Sequence, residues 1–516
     1  MPRANDQPLG RVYLVGAGPG DPGLLTLRGA ECLRRADVVL YDYLVNPQIL
    51  EHAPSASQCM CLGRHGQGRL IPQEEINQRM IELAQAGKKV VRLKAGDPAV
   101  FARAAEETEA LTAAGVSWEI VPGITAALAA GSYAGVPLTH RHLASAVALV
   151  TGQEAERDGA MLDYAALARF PGTLVFYMGV TSAPRWSAAL IAAGKSPDTP
   201  AALVRRCSWP DQWTLRCTLG TLAERLAEHK TRPPVMVIVG EVAGHTGGVD
   251  WFTSRPLFGR RIMITRPRSQ AETLRHRLAE LGADVLVQPA IEITPTDDWR
   301  LVDAALNKLD QFDWVVFSSS NGVRYLLGRL CSVHGDLRRL GGVRLAAIGP
   351  GTADELAAYH LKADFVPDEF RAESLAGGLA AQAAGRRFLL ARASRGREVL
   401  ADELQSAGGE VQQIVVYQSC DATTPDAETA ELLHQGRVDW VTVTSSAIAR
   451  SLAAMFGNDL RRTRLVSISP ITSATLRELG HEPAAEARVY DMSGVVAAIL
   501  EANCPGMYSP PDEPGN

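Results

Sequence analysis

Residues Val12–Asp42 read VYLVGAGPGDPGLLTLRGAECLRRADVVLYD, and this stretch decides the fold of the first half of the chain. Val12-Tyr13-Leu14-Val15 is a short apolar run ended by glycine, the pattern of a buried strand. Gly16 to Gly23 is a rigid loop: its glycines permit close backbone approach, while Pro19 and Pro22 fix φ. The spacing predicts a helix over 24–35 and a second strand over 37–41, giving a β-loop-α-β unit. A dinucleotide fingerprint needs glycine at position 21, where Asp21 stands, and Pro19 removes an N–H that a phosphate cradle would use. The loop suits a small ligand lying against backbone, not a dinucleotide pyrophosphate.

The pattern continues outward. A helix is predicted over 72–86 and a strand over 90–93, the latter ending in Lys94-Ala95-Gly96-Asp97-Pro98. A helix over 104–114 leads to a strand over 118–121 and a third loop, Pro122-Gly123-Ile124-Thr125. Three loops leaving strand ends on one sheet edge form the usual ligand site of an open α/β sheet. A second α/β portion begins after Arg141, with strands near 147–150, 173–177, 201–204 and 235–239. Gly240 to Arg260 breaks the pattern with glycines and prolines and reads as a linker.

The α/β pattern restarts at Arg261-Ile262-Met263-Ile264-Thr265 and contains an internal repeat. FDWVVFSSS (Phe312–Ser320) recurs as VDWVTVTSS (Val438–Ser446), and RLAAIGPGTADEL (Arg344–Leu356) as RLVSISPITSATL (Arg464–Leu476). Two lobes of one architecture follow, with a cleft lined by hydroxyls and helix N-termini.

At 516 residues the chain exceeds one core, and 46% hydrophobic with 21% charged residues is ordinary globular composition. Lys+Arg 52 against Asp+Glu 57 gives a formal charge of −5, so no general nucleic-acid or anionic-membrane footprint is present. The polar start MPRANDQPLG lacks a signal-peptide core, and no apolar run spans a membrane. Eight scattered cysteines fit reduced thiols in a cytoplasm; Cys59-Met60-Cys61 fits a strand better than a metal site, so no metal is expected.

Six blocks in order, GAGPGDPGLLT, YDYLV, VRLKAGDPAVF with Glu106-Glu107, VPGITAALAAGSYAGVPLTHR, TLVFYMG and VMVIVGEV, resemble the motifs of uroporphyrinogen-III C-methyltransferases over about residues 10–243. The resemblance implies a two-subdomain tetrapyrrole-methylase fold, with subdomains of about 10–141 and 142–243, binding S-adenosylmethionine. It implies cofactor contacts at Pro19, Ala95, Gly96, Asp97, Val100, Thr125, Ala126, Met178 and Cys207. Asp42 would be the proton acceptor, and Arg64 stands at the family's lysine proton donor. Arg103 and Arg141 would pair with carboxylates of uroporphyrinogen III. This chain departs from the pattern at Arg64, at Ala102 and Ala104 where glycines are usual, at Gln153, and at Arg206-Cys207-Ser208. The alanines are expected to strain positive-φ positions.

ITRPRSQAETL, FDWVVFSSSNGV, AAIGPGTADEL, VVYQS and SISPITSATLRELG resemble uroporphyrinogen-III synthases over about residues 258–503. That resemblance implies a bilobal α/β fold with lobe one at 258–289 plus 420–503 and lobe two at 290–419. It puts Tyr417 beside the departing hydroxyl of hydroxymethylbilane, and Arg266, Ser319, Thr352, Arg392, Ser445 and Thr472 in the cleft. Residues 1–9 and 504–516 are expected to be disordered, with a linker at 244–257.

The expectation is a fused, cytoplasmic, bifunctional enzyme that cyclises hydroxymethylbilane with ring D inversion and methylates uroporphyrinogen III twice to precorrin-2, on the siroheme and cobalamin branch. The methylase resemblance implies a homodimer, anionic tetrapyrroles as ligands, and neither nucleic acid nor membrane as partner. Nothing ahead of Val12 offers a dehydrogenase-chelatase domain, so oxidation and metal insertion are expected elsewhere. The alternatives are an active synthase with a binding-only methylase half, or a methylase of this fold with another substrate.

Overall fold

The computed structural model describes residues 10–63, 71–153, 162–245, 250–396 and 398–503. They fall into two compact units, one reaching to Arg260 and including Leu278–Asp284, the other comprising Arg261–Arg277 and the chain from Val285. The architecture is α/β throughout.

In the first unit, strands β1 (Arg11–Gly16), β2 (Val38–Tyr41), β3 (Gln58–Cys61), β4 (Lys89–Lys94) and β5 (Ser117–Val121) form a parallel sheet in the order β3-β2-β4-β1-β5. A parallel sheet is covered on both faces, so its strands read as continuous apolar runs. Val12, Leu14, Val38 and Leu40 pack on one face with Met80; Val15, Val39, Val91 and Leu93 pack on the other. The helix after β1 is shorter than the predicted 24–35. Pro22–Leu24 is a 3-10 turn, and the Thr26 side chain accepts from Gly29 N (3.1 Å) to start the helix at Leu27–Arg34.

Strands β6 (Val147–Thr151), β7 (Thr173–Tyr177), β8 (Pro200–Arg205), β9 (Trp213–Thr218) and β10 (Val235–Val239) make a mixed sheet in the order β6-β7-β10-β8-β9. Only β6 and β7 run parallel; β10 is antiparallel to β7 and β8, and β8 to β9. The stretch read as a linker is packed in part. Phe252 joins the core of Ala127, Tyr133 and Val204, and Trp251 Nε1 donates to Ser132 O at 2.9 Å. Phe252 is buried there, while Trp251 stays 43% exposed and is held by its hydrogen bond.

The second unit holds two sheets. β11 (Arg261–Ile264) and β12 (Asp284–Val287) share one with strands that come much later in the chain. The chain first builds β13 (Ile291–Pro295), β14 (Trp314–Phe317), β15 (Arg344–Ala347), β16 (Arg387–Ala393) and β17 (Glu410–Asp421), in the order β13-β17-β16-β14-β15. It then supplies β18 (Trp440–Val443), β19 (Arg464–Ser467) and β20 (Ala485–Glu486), completing β12-β11-β18-β19-β20.

The sequence repeat is a structural repeat. Asp313 Oδ2 accepts from Arg387 N (2.9 Å) and Asp439 Oδ2 from Arg261 N (2.8 Å), so each aspartate ties β14 or β18 to its neighbour. Trp314 and Trp440 lie buried beside them, with the Arg344 and Arg464 guanidinium groups over their rings at 5.0 and 4.3 Å. Among the described residues, no helix is long and apolar enough to cross a membrane.

Candidate functional site

β1 lies between β4 and β5 with all three parallel, so the loops that follow them leave one sheet edge together. They meet backbone to backbone. Gly96 N donates to Gly18 O (2.8 Å) and Gly18 N to Gly96 O (3.2 Å), with both glycines at positive φ (75° and 72°). Gly123 N donates to Asp97 Oδ2 at 2.9 Å, and a Cβ on Gly123 would fall 2.3 Å from Gly96 O. A fourth segment, after β8, closes over the first loop: Asp21 N donates to Ser208 Oγ (3.0 Å) and Trp209 Nε1 to Pro19 O (3.1 Å). Tyr133 Oη donates to Asp21 Oδ2 at 2.9 Å, which gives position 21 a use for its carboxylate.

The three sheet loops, 16–23, 95–100 and 122–126, contain no lysine or arginine but do contain Asp21 and Asp97. Such a cradle of carbonyls, amides and carboxylates repels phosphate and fits a ligand that carries positive charge. Thr125 starts the helix Ala126–Tyr133, yet its Oγ1 pairs with Tyr177 Oη at 2.6 Å. Ala127 N donates to that same Tyr177 oxygen (3.2 Å), so the tyrosine takes the capping role.

Asp42 ends β2 on the same edge. Its Oδ1 accepts from Arg92 Nη2 at 2.5 Å, not from a nearby backbone N–H as an Asx turn would require. Behind it lies a buried charge cluster. Arg92 Nε donates to Glu107 Oε1 (3.1 Å), Lys94 Nζ to both Glu107 oxygens (2.7 Å), and Gln73 Nε2 to Glu107 Oε1 (3.2 Å). The side chains of Arg92, Lys94 and Glu107 are 4%, 3% and 0% exposed, against 31% for Asp42. Burial, with help from Arg92, pushes the Lys94 ammonium below its ordinary range. Burial opposes the charge on Arg92 as well, but Asp42 and Glu107 outweigh it and hold that guanidinium above its usual value.

In the second unit, Tyr417 lies buried on β17 with its hydroxyl 3.0 Å from Ser319 Oγ and its ring stacked on Tyr325 (5.8 Å, 19°). Burial raises the Tyr417 pKa against the opposing pull of Ser319 and Asn321. Ser319 caps the helix Ser320–His334 through Gly322 N, and Ser445 caps Ser446–Phe456 through Ile448 N. Arg266 is half-buried. Its Nη1 meets Met492 Sδ (3.1 Å), its Nη2 donates to Gln270 Oε1 (3.0 Å), and its buried Nε has no partner among the described residues. Gln270 Nε2 in turn donates to Asn321 Oδ1 at 2.8 Å. Desolvation pulls the Arg266 pKa down.

Residues 11–223 match the tetrapyrrole (corrin/porphyrin) methylases and residues 272–497 match uroporphyrinogen-III synthase HemD. The porphyrin biosynthesis protein HemD of Ruminiclostridium josui is 33% identical over 489 residues, 95% of each chain. The chain belongs to both families. It is a fused tetrapyrrole methyltransferase and uroporphyrinogen-III synthase. The uroporphyrinogen-III C-methyltransferase of Bacillus subtilis is 39% identical over 332 residues, covering 64% of this chain and 68% of its own. A solved uroporphyrin-III C-methyltransferase of Thermus thermophilus, complexed with S-adenosyl homocysteine, is 42% identical and covers 46% of this chain and 99% of its own, with a TM-score of 0.40.

In the methyltransferase half, Pro19, Ala95, Gly96, Asp97, Thr125 and Ala126 lie on the meeting loops, and Cys207 Sγ sits 3.8 Å from Ala126 O. Val100 closes the second loop through Val100 N to Asp97 O (3.2 Å). Met178 is not core: it is 48% exposed at φ 51°. Arg103 is exposed and bound to Glu106, Arg141 is exposed, and Arg64 lies outside the described residues. Strain does not fall on Ala102 and Ala104, as the family pattern suggests; Phe101 (φ 52°) and Arg103 (φ 57°) take the positive torsions.

In the synthase half, Ser319 and Tyr417 come together, with Arg266 reaching them through Gln270 and Asn321. Arg392 is held locally by Glu398 and Gln413, both at 2.5 Å. Thr352 and Thr472 are buried, and Ser469, not Thr472, caps the helix Pro470–Glu478. Sequence reasoning missed Arg92, Lys94, Glu107, Tyr177, Ser208 and Trp209. The available signal was KVVRLK (Lys89–Lys94), where two cations interrupt a run that otherwise reads as a buried strand.

Proposed function

We propose that the synthase half closes hydroxymethylbilane to uroporphyrinogen III with inversion of ring D, and that the methyltransferase half methylates that product twice to precorrin-2. The observation that carries the methyltransferase reading is Asp42, a half-exposed carboxylate on the edge where the three strand-end loops meet. S-adenosylmethionine, when bound there, supplies the electrophilic methyl group. The residues for it are Pro19, Ala95, Gly96, Asp97, Val100, Thr125, Ala126, Met178 and Cys207. Asp42 takes the proton that the ring system loses, a task that needs an ionised carboxylate within hydrogen-bond reach. Arg103 and Arg141 hold substrate carboxylates and Arg64 adds positive charge; arginine is too weak an acid to donate a proton itself.

In the other half, Tyr417 donates a hydrogen bond to the departing hydroxyl; a phenol is protonated at neutral pH, and burial raises its pKa further. Arg266, Ser319, Thr352, Arg392, Ser445 and Thr472 bind the open chain, and proximity closes the ring. Lobe boundaries at 258–289 plus 420–503 and 290–419, a homodimer through the methyltransferase half, and a cytoplasmic setting on the siroheme or cobalamin branch belong to this reading. The test is the purified protein with hydroxymethylbilane, without and then with S-adenosylmethionine. Uroporphyrinogen III and then a dimethylated product are expected; the uninverted ring isomer and no methylated product would overturn the reading.

A further inference from the structure

A central strand of a parallel sheet is a costly place for charge, yet β4 buries Arg92 and Lys94 on one face beside Glu107. With Asp42, the cluster holds two cations against two carboxylates. Neutrality alone does not require four groups, because Lys94 contacts both oxygens of Glu107 and that pair balances by itself. Arg92 is the added cation, and each nitrogen of its guanidinium is committed. Nε goes to Glu107, Nη1 to Leu93 O (3.2 Å) and Nη2 to Asp42 Oδ1. A planar fork fixed at three points has one orientation. It holds Oδ1 of Asp42 and leaves Oδ2 without a partner among the described residues.

We propose that Arg92 is a positioning residue for the methyltransferase reaction: anchored by Glu107, it fixes the Asp42 carboxylate so that its second oxygen faces the reacting ring. This inference rests on the reading of Asp42 as proton acceptor. Among the described residues, the charged or titratable groups around Asp42 are Arg92 and Lys94 on β4, Glu107 on the helix Ala104–Ala113, and the neighbouring Tyr43, whose hydroxyl pKa is raised by burial and then by Asp42. Arg92 is the group in direct contact. Without it the carboxylate is free to rotate, so the base is misplaced.

The test uses the full chain with Arg92→Gln, Arg92→Lys, Asp42→Asn and the double variant Asp42→Asn/Arg92→Gln. In each case S-adenosylhomocysteine binding reports an intact methyltransferase half, and cyclisation of hydroxymethylbilane an intact synthase half. Methylation kcat is expected to fall about 100-fold in Arg92→Gln, with S-adenosylhomocysteine binding by calorimetry within about threefold of wild type. Arg92→Lys keeps the charge without the fork, so kcat drops while S-adenosylhomocysteine binding holds; if Arg92→Gln fails to fold, this split decides. The double variant is expected to be no slower than Asp42→Asn.

Losses that multiply in the double variant, or loss of S-adenosylhomocysteine binding in step with activity, would each overturn the proposal. Full methylation by Asp42→Asn would sink the reading of Asp42 itself, and the proposal with it. Impaired Asp42→Asn with unimpaired Arg92→Gln would sink the proposal alone.

Discussion

The two halves meet related tasks with opposite materials. The methyltransferase half builds its site from backbone in contact with backbone and from a sealed cluster of charges. In the synthase half, the residues proposed to bind substrate include hydroxyls that already cap helices and a half-buried arginine with no carboxylate partner among the described residues. A group-transfer site that moves a proton needs a fixed base and a fixed electrophile. A ring closure needs a chain held in one conformation, which many weak contacts provide. Rigid sites break sharply under substitution, and distributed ones erode.

The largest expected effect on ligand binding follows from Gly123→Ala. Its Cβ would fall 2.3 Å from Gly96 O and 2.7 Å from Gly16 Cα, so the three loops must part. Calorimetry is expected to show S-adenosylhomocysteine binding weakened more than about 100-fold, roughly 2.7 kcal/mol, with cyclisation unchanged. Binding within threefold of wild type would show that the loops do not form the cradle.

Glu107→Gln comes next. It leaves Arg92 and Lys94 buried without their shared carboxylate, a loss of about 3–5 kcal/mol. Scanning calorimetry is expected to show the transition of the first unit shifted down and that of the second unmoved. An unshifted first transition would mean that the cluster contributes little to stability.

The second half should respond more gently. Tyr417→Phe is expected to slow cyclisation roughly tenfold, below the usual range for loss of a general acid, because conformation carries most of the rate. Ser445→Ala is expected to cost about 1 kcal/mol of stability through the lost cap. Ser319→Ala should cost a similar amount and also slow cyclisation, since Ser319 meets Tyr417 as well. Equal activities in the two serine variants would contradict the pairing.

The smallest effect is chemical. Burial pushes the Cys207 thiol up to about 12, so about one part in a thousand is thiolate at pH 9. Iodoacetamide is expected to label exposed Cys61 and Cys420 and spare Cys207 until the protein is unfolded. Rapid labelling of Cys207 in native protein would contradict its place against Ala126.

Much of the frame is legible in the chain. Apolar runs such as Val12–Val15 announce buried strands, GAGPG and AGDP mark the loops, and the Asp-Trp repeat reveals the paired lobes. What sequence hides is set by partners distant in the chain. Ser208 and Trp209 join the first loop from 187 and 190 residues away. Glu107 looks like any acidic residue in the first turn of a helix until Arg92 and Lys94 are set against it. Ser469 and Thr472 sit three apart, and only backbone geometry tells which one caps. Phe101 and Arg103 carry the positive torsions because φ belongs to the loop path, which a comparison of residue types does not give.

The central claim, two reactions at two separable sites, is tested most directly by one incubation. Full-length Asp42→Asn is supplied with hydroxymethylbilane and S-adenosylmethionine, and the products are resolved by mass spectrometry. The account predicts uroporphyrinogen III formed at the wild-type rate, with dimethylated product reduced at least about 100-fold. Dimethylated product at the wild-type level, or loss of both products together, would contradict it.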